Sequence, residues 1–187
     1  MEFMVGIAFI LCVATALILL VGLYNALISN RENIEKAWVN IDVILKQRYD
    51  EIPQLIRICE QYVTFEKSMV NQIMSAREKM IQGRTPNEKA AGFNDLSAGI
   101  NGLFAVGEAY PELKANANFM QIQSRLSSLE EALADRRELY NDSVNIYNIR
   151  IQSFPDFFFA RILGYQRIQM FEIKDSERVV PDLTIKT

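Results

Sequence analysis

The chain has 187 residues, with 20 Lys or Arg, 23 Asp or Glu and no His, for a formal net charge of −3. Without His there is no Ser-His or Cys-His nucleophile pair, no His-ligated zinc and no Glu-x-x-His di-iron bundle, and the acidic balance offers nucleic acid no basic footprint. Cys12 and Cys59 supply neither a disulfide framework nor a metal cluster, so no residue is assigned a catalytic, cofactor-binding or metal-binding role.

From Met4 to Leu23 the chain carries no charged side chain, no Asn or Gln and no Pro. As a helix rising about 1.5 Å per residue this run is roughly 30 Å long, the thickness of a bilayer's hydrocarbon core, and it reads as a transmembrane anchor. A cleaved signal peptide needs a basic start, a shorter apolar core and a small-residue cleavage site. Ala14-Thr15-Ala16 meets only the last requirement, because Glu2 is the sole charge before it and apolar residues continue after it. Phe9-Ile10-Leu11 lacks the small residues that precede a lipidated Cys, which argues against Cys12 as a lipid site. A soluble core helix is excluded in turn, since no second segment is apolar all round and able to cover this one.

The residues after the anchor continue without a stop signal. A seam at alternating spacings of four and three runs through Ile34, Trp38, Ile41, Leu45, Arg48, Ile52, Leu55, Cys59, Tyr62, Glu66, Met69, Ile73, Ala76 and Met80, which predicts one long helix packed along a narrow stripe. Pro53 removes one backbone hydrogen bond, so a bend near Asp50 is expected rather than a break. Trp38 lies on the seam and is expected to be largely buried, with a cost of roughly 3–5 kcal/mol for Trp38→Ala.

Gln82-Gly83-Arg84-Thr85-Pro86 is the first clear boundary: Gly ends one helix, Thr85 caps the next and Pro86 suits its first turn. The second helix runs from Pro86 to about Ala109 with Phe93, Leu96, Ile100, Leu103 or Phe104 and Tyr110 inward. Gly92, Gly99, Gly102 and Gly107 weaken its propensity and are read as sites of close helix packing. Tyr110 to Asn116 forms the second turn, and a third helix follows to about Ser153, its seam passing through Phe119, Ile122, Leu126, Leu129, Leu133, Arg136, Tyr140, Val144, Tyr147, Ile151 and Phe154. Tyr140-Asn141 and Tyr147-Asn148 stand one heptad apart and share a face, with Tyr rings in the core and Asn side chains bonding across helices.

Several of these residues recur together in one family. Tyr24-Asn25, Ala37-Trp38, Ile41-Asp42-Val43, Leu45, Arg48, Ile52-Pro53, Leu55, Ala76-Arg77, Tyr110-Pro111, Leu113-Lys114-Ala115-Asn116, Asn118-Phe119, Gln123, Leu126, Glu130, Arg136, Tyr140-Asn141, Tyr147-Asn148, Phe154-Pro155, Gly164-Tyr165 and Phe171-Glu172 make the chain resemble the LemA family of single-anchor bacterial membrane proteins. The resemblance implies a membrane helix followed by an antiparallel helical bundle, and it implies no established activity. The chain differs at Gln47, where a second basic residue is common in the family, and in the aromatic run Phe157-Phe158-Phe159.

Pro155-Asp156 starts a short helix bearing Phe157, Phe158, Phe159, Ile162 and Leu163 and ended by Gly164. Packing over one end of the bundle accounts for this cluster, and contact with the membrane interface or a partner is the alternative. Glu172 to Thr187 reads as polar and loosely held, with Pro181 breaking any regular element. Glu130, Glu131 and Asp135 are the remaining catalytic raw material, but neighbouring Arg136 and Arg137 make a solvated, ion-paired face the better account.

The expected architecture is all-α: a transmembrane helix followed by an elongated antiparallel bundle of three to four helices. The expected division is an anchor over 1–23, a bundle over 24–155 and a short helix with a loose tail over 156–187. The expected role is a non-enzymatic scaffold or adaptor, with the lipid bilayer contacted through residues 4–23, a membrane or envelope protein as partner, no nucleic acid, and oligomerisation left open. A carboxylate enzyme acting on envelope material and a membrane-stabilising protein are the alternatives. No Lys or Arg precedes the anchor, whereas Arg31 and Lys36 lie within about fifteen residues after it, which predicts a single-pass protein of the cell membrane with a cytoplasmic bundle.

Overall fold

Helix α1 (Glu2–Glu60) carries the apolar run and continues past it without interruption. The computed structural model of the protein describes residues 1–64 and 67–172, and every regular element among them is a helix. After α1 come α2 (Lys67–Gln82), α3 (Pro86–Ala109), the single turn α4 (Pro111–Lys114), α5 (Ala117–Arg150) and α6 (Asp156–Ile162). The protein is all-α and bundle-like, and α1 is long and apolar enough to cross a membrane. None of the other described residues covers its apolar window, where Phe9, Ile10, Leu11, Ile18 and Leu19 are all exposed, unlike a soluble core helix.

Here the structure departs from the single long helix expected to reach Met80. Helix α1 ends at Glu60, where the turn tightens through Gln61 N donating to Ile58 O and Tyr62 N donating to Cys59 O. Val63 and Thr64 are β-branched and weak helix formers, which favours a stop there. The seam stayed in phase because α1 and α2 both place their apolar residues toward a core at the same period. Ile73, Ala76 and Met80 are buried on α2, whereas Glu66 lies outside the described residues.

At Pro53 the helix continues, and the structure shows what the missing amide leaves behind. The Tyr49 carbonyl, four residues earlier, loses its intrahelical donor. Arg77 Nε on α2 donates to that oxygen at 2.9 Å, and its guanidinium stands 5.6 Å from the centre of the Tyr49 ring.

The chain divides into two units, Met1–Asp42 with Ala134–Met170, and Val43–Leu133 with the residues from Phe171 onward. Both α1 and α5 contribute to each. In the second unit α2 and α3 form a hairpin whose approach depends on small residues. A Cβ on Gly92 would stand 2.9 Å from the Met80 backbone nitrogen, and one on Gly99 would stand 2.6 Å from Ile73 Cγ1. The start of α3 is as expected: Thr85 Oγ1 accepts from Glu88 N, the Glu88 carboxylate accepts from Thr85 N, and Pro86 occupies the first turn. Phe93, Leu96, Ile100 and Leu103 are buried and Phe104 meets Phe119 edge-on, but Tyr110 is exposed because it sits in the cap between α3 and α4.

Candidate functional site

In the second unit the feature that hydrophobic packing does not explain is Arg48, which is 4 % exposed within the apolar seam of α1. Its guanidinium lies 4.6 Å from the centre of the Phe93 ring, Nη2 donates to Ser97 Oγ at 3.1 Å, and the group is paired with the Glu130 carboxylate. No acceptor reaches its Nε among the described residues. Burial pushes the guanidinium down to about 10, which leaves it charged at neutral pH. Glu130 is 53 % exposed, so its outer side faces water while its inner side neutralises Arg48. A second pair, Arg125 to Glu51 at 2.6 Å, joins α5 to α1. Asn116 caps α5 by accepting from Asn118 N and Phe119 N, and its amide nitrogen donates to Tyr62 Oη at 2.9 Å. These contacts link helices and enclose no reactive group.

The first unit carries the other notable surface. Trp38 meets Tyr140 edge-on at 5.8 Å, and Arg31 stands 5.6 Å over the Tyr165 ring, which lies 6.3 Å from Tyr147. Tyr140 and Tyr147 are buried as expected, and burial raises both phenols. Trp38 is only half-buried, because Tyr140 covers it edge-on rather than enclosing it, so the expectation that it is largely buried is corrected. Asn148 is buried, but it bonds to the chain beyond α6 rather than across helices. Its Nδ2 donates to Ile168 O at 2.8 Å and its Oδ1 accepts from Ile168 N at 2.9 Å, as a paired strand would. Tyr147 Oη adds a donor bond to Gln166 O at 3.2 Å, and Arg150 Nε donates to the buried Asp156 at 3.1 Å.

Helix α6 is held at its start and behind its end, yet its aromatic cluster is not packed away. Phe154, Phe157, Phe158, Ile162 and Leu163 are exposed, and Phe159 is half-buried. The carboxylates Glu131 and Asp135 project into solvent and Glu130 is engaged by Arg48, so the three do not converge on a substrate cleft.

A profile of the LemA family matches residues 37–184. The chain belongs to the LemA family. Among its relatives are the magnetosome protein MamQ of Magnetospirillum gryphiswaldense, 22% identical over 86% of this chain and 70% of that protein, and magnetosome protein MamQ 2 of Paramagnetospirillum magneticum, 23% identical over the same shares. Protein LemA of Metamycoplasma hominis is 24% identical over 93% of this chain and 80% of that protein.

Several LemA-type residues quoted from the sequence meet in space. Pro53 and Arg77 converge on the Tyr49 carbonyl, Arg48 pairs with Glu130, and Trp38 packs on Tyr140. Sequence reading placed Arg48 on the seam and Glu130 on the surface, but nothing in either periodicity joins them. Arg77 carried no role in that reading, although a Pro inside a helix signals that one carbonyl needs a donor from elsewhere. The tail assigned to residues 172–187 lies outside the described residues beyond Glu172.

Proposed function

We propose that this LemA-family protein is a membrane-anchored scaffold or adaptor, which holds another envelope protein beside the bilayer without chemistry of its own. The observation that supports this reading is an uncovered apolar stripe on α5. Leu139, Ile146 and Ile149 are 52, 58 and 57 % exposed, and their spacing of seven and three sets them on one face. A stripe of that spacing seats another amphipathic helix, and exposed apolar patches of this kind mark interaction surfaces. The relatives named as magnetosome proteins support a membrane-associated place. Arg31 and Lys36 beyond the apolar run favour a cytoplasmic bundle. The full chain, purified from membranes in mild detergent, should bring down a stoichiometric partner, and Ile146→Asp with Ile149→Asp should release it while the helical circular dichroism signal stays. Recovery of the protein alone in several mild detergents, or a partner indifferent to both substitutions, removes the support for this reading. The carboxylate-enzyme alternative has no comparable observation behind it.

A further inference from the structure

We infer that α6 is an interfacial foot, whose Phe154, Phe157, Phe158 and Ile162 enter the headgroup region of the same bilayer that α1 crosses. The inference rests on α1 as a membrane anchor and adds a second, separate contact with lipid.

Position within the first unit is the first argument. Trp38 meets Tyr140, and seven residues back along α1 Arg31 meets the cluster of Tyr165 and Tyr147, the latter seven residues onward along α5. The two helices are therefore antiparallel with matched heptads. Three more residues take α5 from Tyr147 to its end at Arg150, level with Ile28 on α1 and about 7.5 Å from Leu23 at the end of the apolar run, and the turn that carries Phe154 follows there. With that run filling the hydrocarbon core, Phe154 and the start of α6 stand at the bilayer surface.

Surface chemistry is the second. Phe154, Phe157, Phe158 and Ile162 are 84, 41, 56 and 80 % exposed, while Asp156 and Ala160 form the buried side of the same short helix. Phe and aliphatic side chains are what the apolar face of an interfacial helix sinks into the boundary between headgroups and acyl chains. From Val144 to Met170 the only acid is Asp156, and Arg150 is bonded to it, whereas Arg161 and Arg167 are exposed. The local excess is positive and suits an anionic leaflet.

Fixation is the third. The bonds of Asn148 to Ile168 and of Tyr147 to Gln166 hold the chain behind α6, and the Arg150–Asp156 pair holds its start. The aromatic face is thus kept outward, with Phe158 in edge contact with Phe154 at 6.1 Å and Phe157 at 5.6 Å.

The test uses the full chain in nanodiscs of phosphatidylcholine with a minority of phosphatidylglycerol, brominated on the acyl carbons nearest the headgroup. In a Trp38→Phe background, single reporters are Phe158→Trp on α6, Leu17→Trp in the anchor and Met120→Trp on an exposed site of α5 in the second unit. The foot predicts that Phe158→Trp and Leu17→Trp are both quenched about twofold by brominated lipid, and that Met120→Trp is not. If Leu17→Trp is quenched but Phe158→Trp is not, the foot is overturned and the anchor stands. A blue-shifted emission in that case means a second copy or a protein partner covers α6, and a red one means water does. If Leu17→Trp itself escapes quenching, the anchor fails and the foot fails with it.

Discussion

Cys59 is the residue whose environment makes the sharpest solution prediction. It is fully buried on α1, and desolvation, with the neighbouring Glu60 charge adding to it, pushes the thiol up from 9.0 to about 11. Between these values the native state keeps a proton that the unfolded chain has released. Its contribution to stability is therefore complete below the lower value and is lost as the pH rises through the upper one. The size of that loss is about 2–3 kcal/mol. Denaturant titrations of the detergent-solubilised protein at neutral and strongly alkaline pH, compared with Cys59→Ala, should show a steeper alkaline loss in the native sequence. Equal slopes for the two proteins would mean that the thiol is hydrated. Trp38 is the counterexample at this scale. Its seam position resembles that of Ile34 and Ile41, but a ring that large extends past the stripe, and spacing alone does not report how much of it remains outside.

At the scale of elements, the pairing of Pro53 with Arg77 is the most testable feature. Arg77 supplies the donor that Pro53 withholds from the Tyr49 carbonyl, and this requires α1 and α2 to lie side by side at that level. Arg77→Met in the native sequence should cost about 1–3 kcal/mol, because a part-buried carbonyl loses a charged donor. In a Pro53→Ala background the restored helical amide satisfies that carbonyl, so the same substitution should cost at least about 1 kcal/mol less. A double-mutant cycle on chemical denaturation measures the difference, and strict additivity would show that the two residues act independently. Helix type, the Thr85 cap, the Pro86 start and most of the buried faces of α3 and α5 were legible in the sequence because each depends on spacing or on a local capping residue, whereas Tyr110, Arg136 and Phe154, read on those faces, are exposed. The break after Glu60 was not. Two helices whose seams share one phase look like a single helix, and Gln61-Tyr62-Val63-Thr64 contains none of the Gly, Pro or Asn that normally marks a reversal. The Arg48–Glu130 pair was hidden for a related reason, since it joins residues far apart in the chain through packing that no local pattern encodes.

For the molecule as a whole, a helix long and apolar enough to cross a bilayer was legible, because length and composition alone define it. The working surfaces were not, because exposure is a property of the folded chain. The α5 stripe contains the same residue types as the core seam, and only the structure shows that Leu139, Ile146 and Ile149 face outward. The account rests on that face meeting another protein beside the membrane. The most direct test is photo-crosslinking in intact cells, with a benzophenone amino acid replacing Ile146 in the full-length protein and, as a control, Glu131. The adaptor predicts one discrete adduct with a different membrane or envelope protein from the Ile146 site and none from the Glu131 site. No adduct from Ile146, or an adduct only with a second copy of the same chain, would contradict it.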